Sequence, residues 1–246
     1  MSITRRTALG TGLATGAFLA ATGSAGAQQD RLALPSTPLA DSASDLIGRE
    51  LPPSICNHSV RGYLFARAAA AQQGLRPGAD YDDEAMYLIC ALHDIGLAGI
   101  GNGQQRFELD GADYAARFLE DHDAPDTLID TVWDAIAAHT SGFSDSPVYR
   151  RRRPPEIWIA VRGIGIDVAA APGDIAPDYA EQVHAAYPRL GGSRALTAAI
   201  ETQALADPRK AMPGTLAGVI VREHHPDVPH LTWDAILATS IWNDAA

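Results

Sequence analysis

Apolar positions recur along this chain at intervals of three and four, the period of helices buried on one face. Pro52-Pro53-Ser54 opens one such segment, which runs through His58-Ser59-Val60-Arg61-Gly62-Tyr63-Leu64-Phe65-Ala66 and an alanine run to Gly74, a residue able to stop a helix. Asp82-Asp83-Glu84 marks the next start, with Met86, Ile89, Cys90 and His93 at helical spacing behind it, and a glycine-rich loop follows over 96–103. Further helices are predicted over 111–119, 126–140, 155–171, 179–187, 193–205, 214–222 and 232–242, each bounded by cap residues, Pro or Gly. No stretch alternates strictly or joins β-branched runs by hairpin turns, so the expected class is all-α, a helical bundle with additional C-terminal helices. A polar, proline-containing lead is expected over 28–50, and one domain with a C-terminal helical extension over 51–246.

Residues 1–27 do not fit that pattern. Thr4-Arg5-Arg6-Thr7 precedes a weakly apolar Ala/Gly/Leu segment, and Ala25-Gly26-Ala27 offers a small-residue cleavage site. Together they resemble a twin-arginine export signal, which implies the Tat translocase as a transient partner and a periplasmic or secreted location. Nothing else reaches the ~20 apolar residues of a membrane span, so no stable membrane association is expected after cleavage.

Charge narrows the partners. The chain carries 19 basic and 30 acidic residues, net −11, and losing Arg5 and Arg6 leaves 17 against 30, net −13. A strongly acidic chain is a poor nucleic-acid binder, which leaves a small molecule as the expected partner. Homo-oligomerisation stays open. Cys56 and Cys90 each lie near a histidine of interest; in an exported protein they allow one disulfide, and as small buried hydrophobes they need none.

The chemistry concentrates in Leu88-Ile89-Cys90-Ala91-Leu92-His93-Asp94-Ile95-Gly96, where a charged pair interrupts an apolar run. Burying an unpaired ion costs several kcal/mol, so the pair needs a partner. A hydrogen-bonded core histidine beside a helix-terminal aspartate would satisfy that need, and so would a metal ion. Three other helices also carry polar groups on or near their apolar faces: Asp167 follows Ile164 by three, His139 follows Ile136 by three, and His58 begins the helix containing Phe65. Imidazoles and carboxylates on separate core-facing helices are what a bundle-interior metal site requires. Such donors suit zinc, iron or manganese, and two histidines with two carboxylates leave room for water.

His58, then His93-Asp94, then Asp167 resembles the H...HD...D order of the HD superfamily of metal-dependent hydrolases. Asn57-His58-Ser59-Val60-Arg61-Gly62-Tyr63, Leu92-His93-Asp94-Ile95-Gly96, Arg106-Phe107-Glu108-Leu109-Asp110-Gly111-Ala112 and Ala135-Ile136-Ala137-Ala138-His139-Thr140 are similar to its cyanamide hydratase branch. The likeness covers about 51–171, with a weaker echo at Thr232-Trp233-Asp234. It implies an HD-domain bundle with one divalent ion, Zn2+ foremost and Fe2+ or Mn2+ as alternatives, held by His58, His93, Asp94 and Asp167. The implied activity is hydration of a small nitrile such as cyanamide to a urea by a metal-activated water. Asp94 would also orient that water; Asn57, His139 and Thr140 would hold substrate or relay a proton; Glu108 would orient a ligand from behind.

Related dinuclear branches resemble one another in carrying a further histidine where this chain has Phe107-Glu108, which implies a single metal here. His122 sits in a charged helix end and reads as solvated; His184, His224, His225 and His230 lie outside the likeness. Two alternatives remain. Arg150, Arg151, Arg152 and Arg153 next to the Asp167 helix would serve a phosphohydrolase, with Lys210 the chain's one lysine, or would form a solvated loop; a non-catalytic metal-containing sensor is the other alternative.

Overall fold

In a computed structural model, residues 31–242 are described, and the expected export signal over 1–27 lies outside them. The described residues form helices joined by turns, with no strand, as the 3.6-residue period predicts.

The architecture is organised on α2 (Pro53–Gln72), in which every residue from His58 to Ala66 is buried. Preceding it, α1 (Pro38–Glu50) replaces much of the expected polar lead. Thr37 caps it by accepting from the Ala40 N–H at 3.1 Å, and Ala40, Ala43, Leu46 and Ile47 face inward. Two alanines carry half of that face while Asp41 and Asp45 stand outward, so the segment reads as polar although it packs as a helix.

α3 (Asp83–Leu92) starts where the acidic triplet predicts, with Asp82 accepting from the Ala85 N–H at 3.0 Å, and every residue from Ala85 to Leu92 is buried. A 3-10 turn at Ile95–Leu97 then leads towards α4 (Phe107–Glu120). This helix begins four residues earlier than the sequence predicts, because Phe107, 2% exposed, anchors its first turn. Gly96 is needed at the crossing: a Cβ there would lie 2.0 Å from the Phe107 carbonyl oxygen. α5 (Asp126–Ala138) packs on α4, and a short helix, α6 (Pro147–Arg152), stands where the arginine run was expected to be a loop, its start capped by Ser146.

α7 (Pro155–Ala169) lies against α2 at unusually close range. A Cβ on Gly163 would meet the Gly62 carbonyl oxygen at 2.2 Å and the Ala66 nitrogen at 2.4 Å, so only glycine lets the backbones approach this far. The remaining helices are α8 (Pro177–Ala186), α9 (Gly192–Ala206), α10 (Leu216–His224) and α11 (Trp233–Ala238). Ile200, Ala204, Ala217 and Val221 from α9 and α10 enclose Phe107 in a second apolar cluster. Two polar ties fasten the same region: Gln203 Nε2 donates to the Gly96 carbonyl at 2.8 Å, and Lys210 Nζ donates to the Gln105 carbonyl at 2.7 Å and pairs with buried Asp110.

Cys56 and Cys90 are free thiols, so the disulfide reading gives way to that of small hydrophobes; burial pushes the Cys90 thiol well above its usual range. No helix among the described residues is long and apolar enough to cross a membrane.

Candidate metal centre

Local backbone geometry brings the HD pair together. In a continuing helix, neighbouring side chains diverge by about 100°. α3 instead ends at His93, and Asp94 adopts φ −103°, ψ 9°, in the sparsely populated bridge region where turns and many active-site residues sit. Both side chains therefore point into the space faced by His58 from the second turn of α2. His93 Nε2 lies 3.3 Å from His58 Nε2, and Asp94 Oδ2 lies 3.1 Å from the former and 3.7 Å from the latter. All three residues are nearly sealed from solvent, with exposures of 4% for His58, 1% for His93 and 1% for Asp94.

The hydrogen bonds behind the imidazoles fix their tautomers. His93 Nδ1 faces the Cys90 carbonyl at 2.8 Å and His58 Nδ1 faces Asp167 Oδ2 at 2.7 Å; both partners accept only, so each Nδ1 donates. In the neutral rings both Nε2 atoms then present lone pairs towards each other and towards a carboxylate oxygen. Asp94 Oδ2 is buried without a hydrogen-bond partner. Three converging electron pairs with no proton between them are a site for a cation, and these donor atoms, all within 4.8 Å of one another, could hold one metal ion. The electrostatics show the site's pull on positive charge: burial opposes protonation of His93, yet the Asp94 carboxylate beside it moves its pKa up, and burial of Asp94 is outweighed by His93 and His58, which hold its carboxyl well below the usual range.

At Asp167 the structure differs from the expected four-ligand set. Arg61, 0% exposed, grips this carboxylate with both Nε and a terminal nitrogen at 2.7 Å, and Arg189 reaches Oδ1 at 3.0 Å. With His58 Nδ1 as well, both oxygens are occupied, and they face the back of the imidazole. Burial raises the Asp167 pKa, but the His58 and Arg61 hydrogen bonds outweigh it and keep the group ionised. Asp167 thus orients His58 and fixes which of its nitrogens presents a lone pair to the site, a relay from carboxylate through imidazole to the donor atom.

His139 closes the site from the end of α5. Its Nδ1 donates to the Ile136 carbonyl at 2.7 Å, its ring packs edge-on against His93 with centroids 5.1 Å apart, and Phe107 lies beside it. Burial and the neighbouring His93 depress its pKa to about 4, so at neutral pH it is an uncharged ring with Nε2 free to accept a proton. Thr140 lies along the same wall and donates to Glu108 Oε1 at 2.5 Å; Glu108 therefore holds Thr140 rather than a ligand. Asn57 does not join the site: one residue from His58 in α2, it points away and donates to the Pro188 carbonyl at 2.8 Å.

Sequence reasoning passed over Arg61 and Arg189. An arginine inside the buried run Val60 to Ala66, three after His58, was a usable signal, because a buried guanidinium demands a carboxylate. Arg189 follows α8 in an ordinary loop and gave none. His122 is exposed, as expected, and bonds the Phe118 carbonyl.

The three donors and His139 form the floor of a cavity of about 480 Å³ whose walls come from α7, α9, α10 and the turn before α6. Residues 55–169, which contain the paired histidines and Asp94, match the family model for the HD domain. The helices α8 to α11 follow the matched stretch. No curated protein matches the chain significantly.

Proposed function

We propose that this protein is a metal-dependent hydratase of uncharged carbon electrophiles, with a nitrile as the reacting group, converted to an amide, or to a urea where the substrate is cyanamide. One observation carries the reading: a single three-donor cluster lies at the floor of a cavity whose two guanidiniums are already engaged. Arg162 pairs with Asp174 at 2.6 Å, and Arg150 donates to the Ser144 carbonyl, lies 3.7 Å from Asp145 and stacks over Trp158. A nitrile needs no cation to bind, whereas a phosphate ester does. The likeness of the segments around Asn57, His93, Phe107 and His139 to cyanamide hydratases supports the same class.

His58, His93 and Asp94 would hold a divalent ion, zinc, iron or manganese by the chemistry of the donors, and that ion would make a bound water acidic enough to lose a proton near neutrality. The protein's own groups do the rest. His139 Nε2, neutral and facing the cavity, takes a proton from the attacking water and returns it to the nitrile nitrogen. The water oxygen bonds to the nitrile carbon, two hydrogens finish on nitrogen, and no group leaves. Thr140, fixed by Glu108, lines the path beside His139.

Phosphate-ester hydrolysis is the second reading, favoured by the presence of Arg150 and Arg162 on the cavity wall. Purified metal-loaded protein incubated with cyanamide, with larger nitriles and with a generic aryl phosphate separates the two. Urea or amide formation that chelation abolishes is the expected result; chelator-sensitive phosphate release with no amide product reverses the assignment. The twin-arginine-like head supports a location outside the cytoplasm, and accumulation of precursor when Arg5 and Arg6 are both changed to Lys tests it.

A further inference from the structure

We propose that the substrate carries an apolar body of about ten heavy atoms, an aromatic ring or branched hydrocarbon uncharged at its outer end, and that the helices appended after the HD domain select it. The proposal rests on the reading of the site as one that attacks an uncharged electrophile, and the geometry adds the size and polarity of what surrounds that group.

The cavity of about 480 Å³ would hold roughly sixteen waters at ~30 Å³ each. Cyanamide, with three heavy atoms, would fill only a small part of it. Above the donor floor the walls are hydrocarbon: Trp158, Val161 and Ile164 from α7 on one side, and Leu196, Ile200 and Leu216 from α9 and α10 on the other. The first three lie inside the matched HD domain, and the last three lie beyond it. The second wall is held rigidly, because Ile200 belongs to the apolar cluster with Phe107, Ala217 and Val221. A preformed apolar cleft with a few polar groups at one end binds ligands of matching division, an apolar bulk and one reacting tip.

The outer rim argues for a neutral ligand. Arg162 is matched by Asp174, whose second oxygen also accepts from the Ala171 N–H at 2.8 Å, and Arg150 lies beside Asp145 with its plane on Trp158. These pairs offset the rim's two positive charges, so an anionic tail meets little net attraction there, whereas an apolar body seats against Trp158.

The test uses full-length metal-loaded protein and tryptophan fluorescence, with benzonitrile and phenylacetonitrile as probes and cyanamide and benzoate as comparators. Saturable quenching by the aryl nitriles is expected, lost in Trp158→Phe, with benzoate at least tenfold weaker. Leu216→Glu, at a site 38% exposed and therefore tolerant of substitution, is expected to weaken aryl nitrile binding at least tenfold while the circular dichroism spectrum stays that of wild type. Leu196→Gln is the second variant, with the same expectation. Absence of saturable binding, benzoate binding as tight as benzonitrile, or unchanged affinity in both folded variants overturns the proposal. The two readings fail separately: aryl nitriles that bind at Trp158 but are never hydrated refute the nitrile chemistry alone, and cyanamide turnover without aryl nitrile binding refutes the apolar-body selection alone.

Discussion

Between α9 and α10, Glu201 Oε1 is met by His224 Nδ1 at 2.9 Å and His225 Nε2 at 2.7 Å, two imidazoles and a carboxylate like the set His58, His93 and Asp94. The outer imidazoles both direct their protons at one carboxylate oxygen, which lowers the Glu201 pKa despite the opposing effect of burial, and water reaches the rings. In the inner cluster the protons point backwards, to the Cys90 carbonyl and to Asp167, and the lone pairs of nearly sealed side chains converge at the floor of the cavity. The difference teaches that two histidines and a carboxylate present converging lone pairs to a cation only when something behind the rings claims the Nδ1 protons. The outer group is a screened surface contact worth little.

The largest test of that contrast is His93→Ala. It is expected to remove the ion, about one per chain by elemental analysis in the wild type, and with it all activity, whereas His224→Ala should change neither. Two equivalents of metal in the wild type would break the single-site reading. His139→Ala comes next: turnover should fall by roughly two to four orders of magnitude, the usual cost of losing a general acid or base, with metal content close to wild type. Loss of metal in that variant would make His139 a donor.

Asp167→Asn probes the groups behind the rings. Metal affinity should drop by about 10- to 100-fold, measured by competition with a chelator, because His58 Nδ1 loses its charged acceptor. A loss as complete as in His93→Ala would show Asp167 to be a ligand in its own right. Acidity probes burial. In metal-free protein the His139 pKa lies near 4 against a reference of 6.5, so the unfolded chain binds the proton more readily than the folded one. The stability conferred by keeping this ring neutral is complete above about 6.5 and declines as pH falls towards 4. A melting temperature flat across that interval would mean the ring is solvated. Smallest of all, Glu201→Gln should leave the melting temperature nearly unchanged and metal content untouched.

Much of this was legible locally. The helical period and the Asp82 cap delimit α3, and the same period turns His93 inward, so one half of the HD pair and its burial follow from spacing. α1 was hidden because alanines bury well yet barely raise local hydropathy. Asn57 was misleading for a geometric reason: adjacency to His58 in sequence means a turn of about 100° away from it on a helix.

Asp167 marks the boundary between what spacing carries and what it does not. Its position three after Ile164 places a carboxylate on the inward face of α7, and that much the sequence alone determined, along with the all-α class and the inward facing of His93 and His139; the direction of His58, at the start of its helix, was left open. Whether the carboxylate faces the front of an imidazole as a ligand or its back as a support depends on Arg61 and Arg189, which arrive from α2 and from the loop after α8. Only the tertiary structure decided this, and likewise that α9 and α10 complete a cavity begun by α7. Periodicity reports which side of each helix avoids water, a property of neighbours in the chain; which inward groups meet, and through which atoms, is set by how distant helices pack.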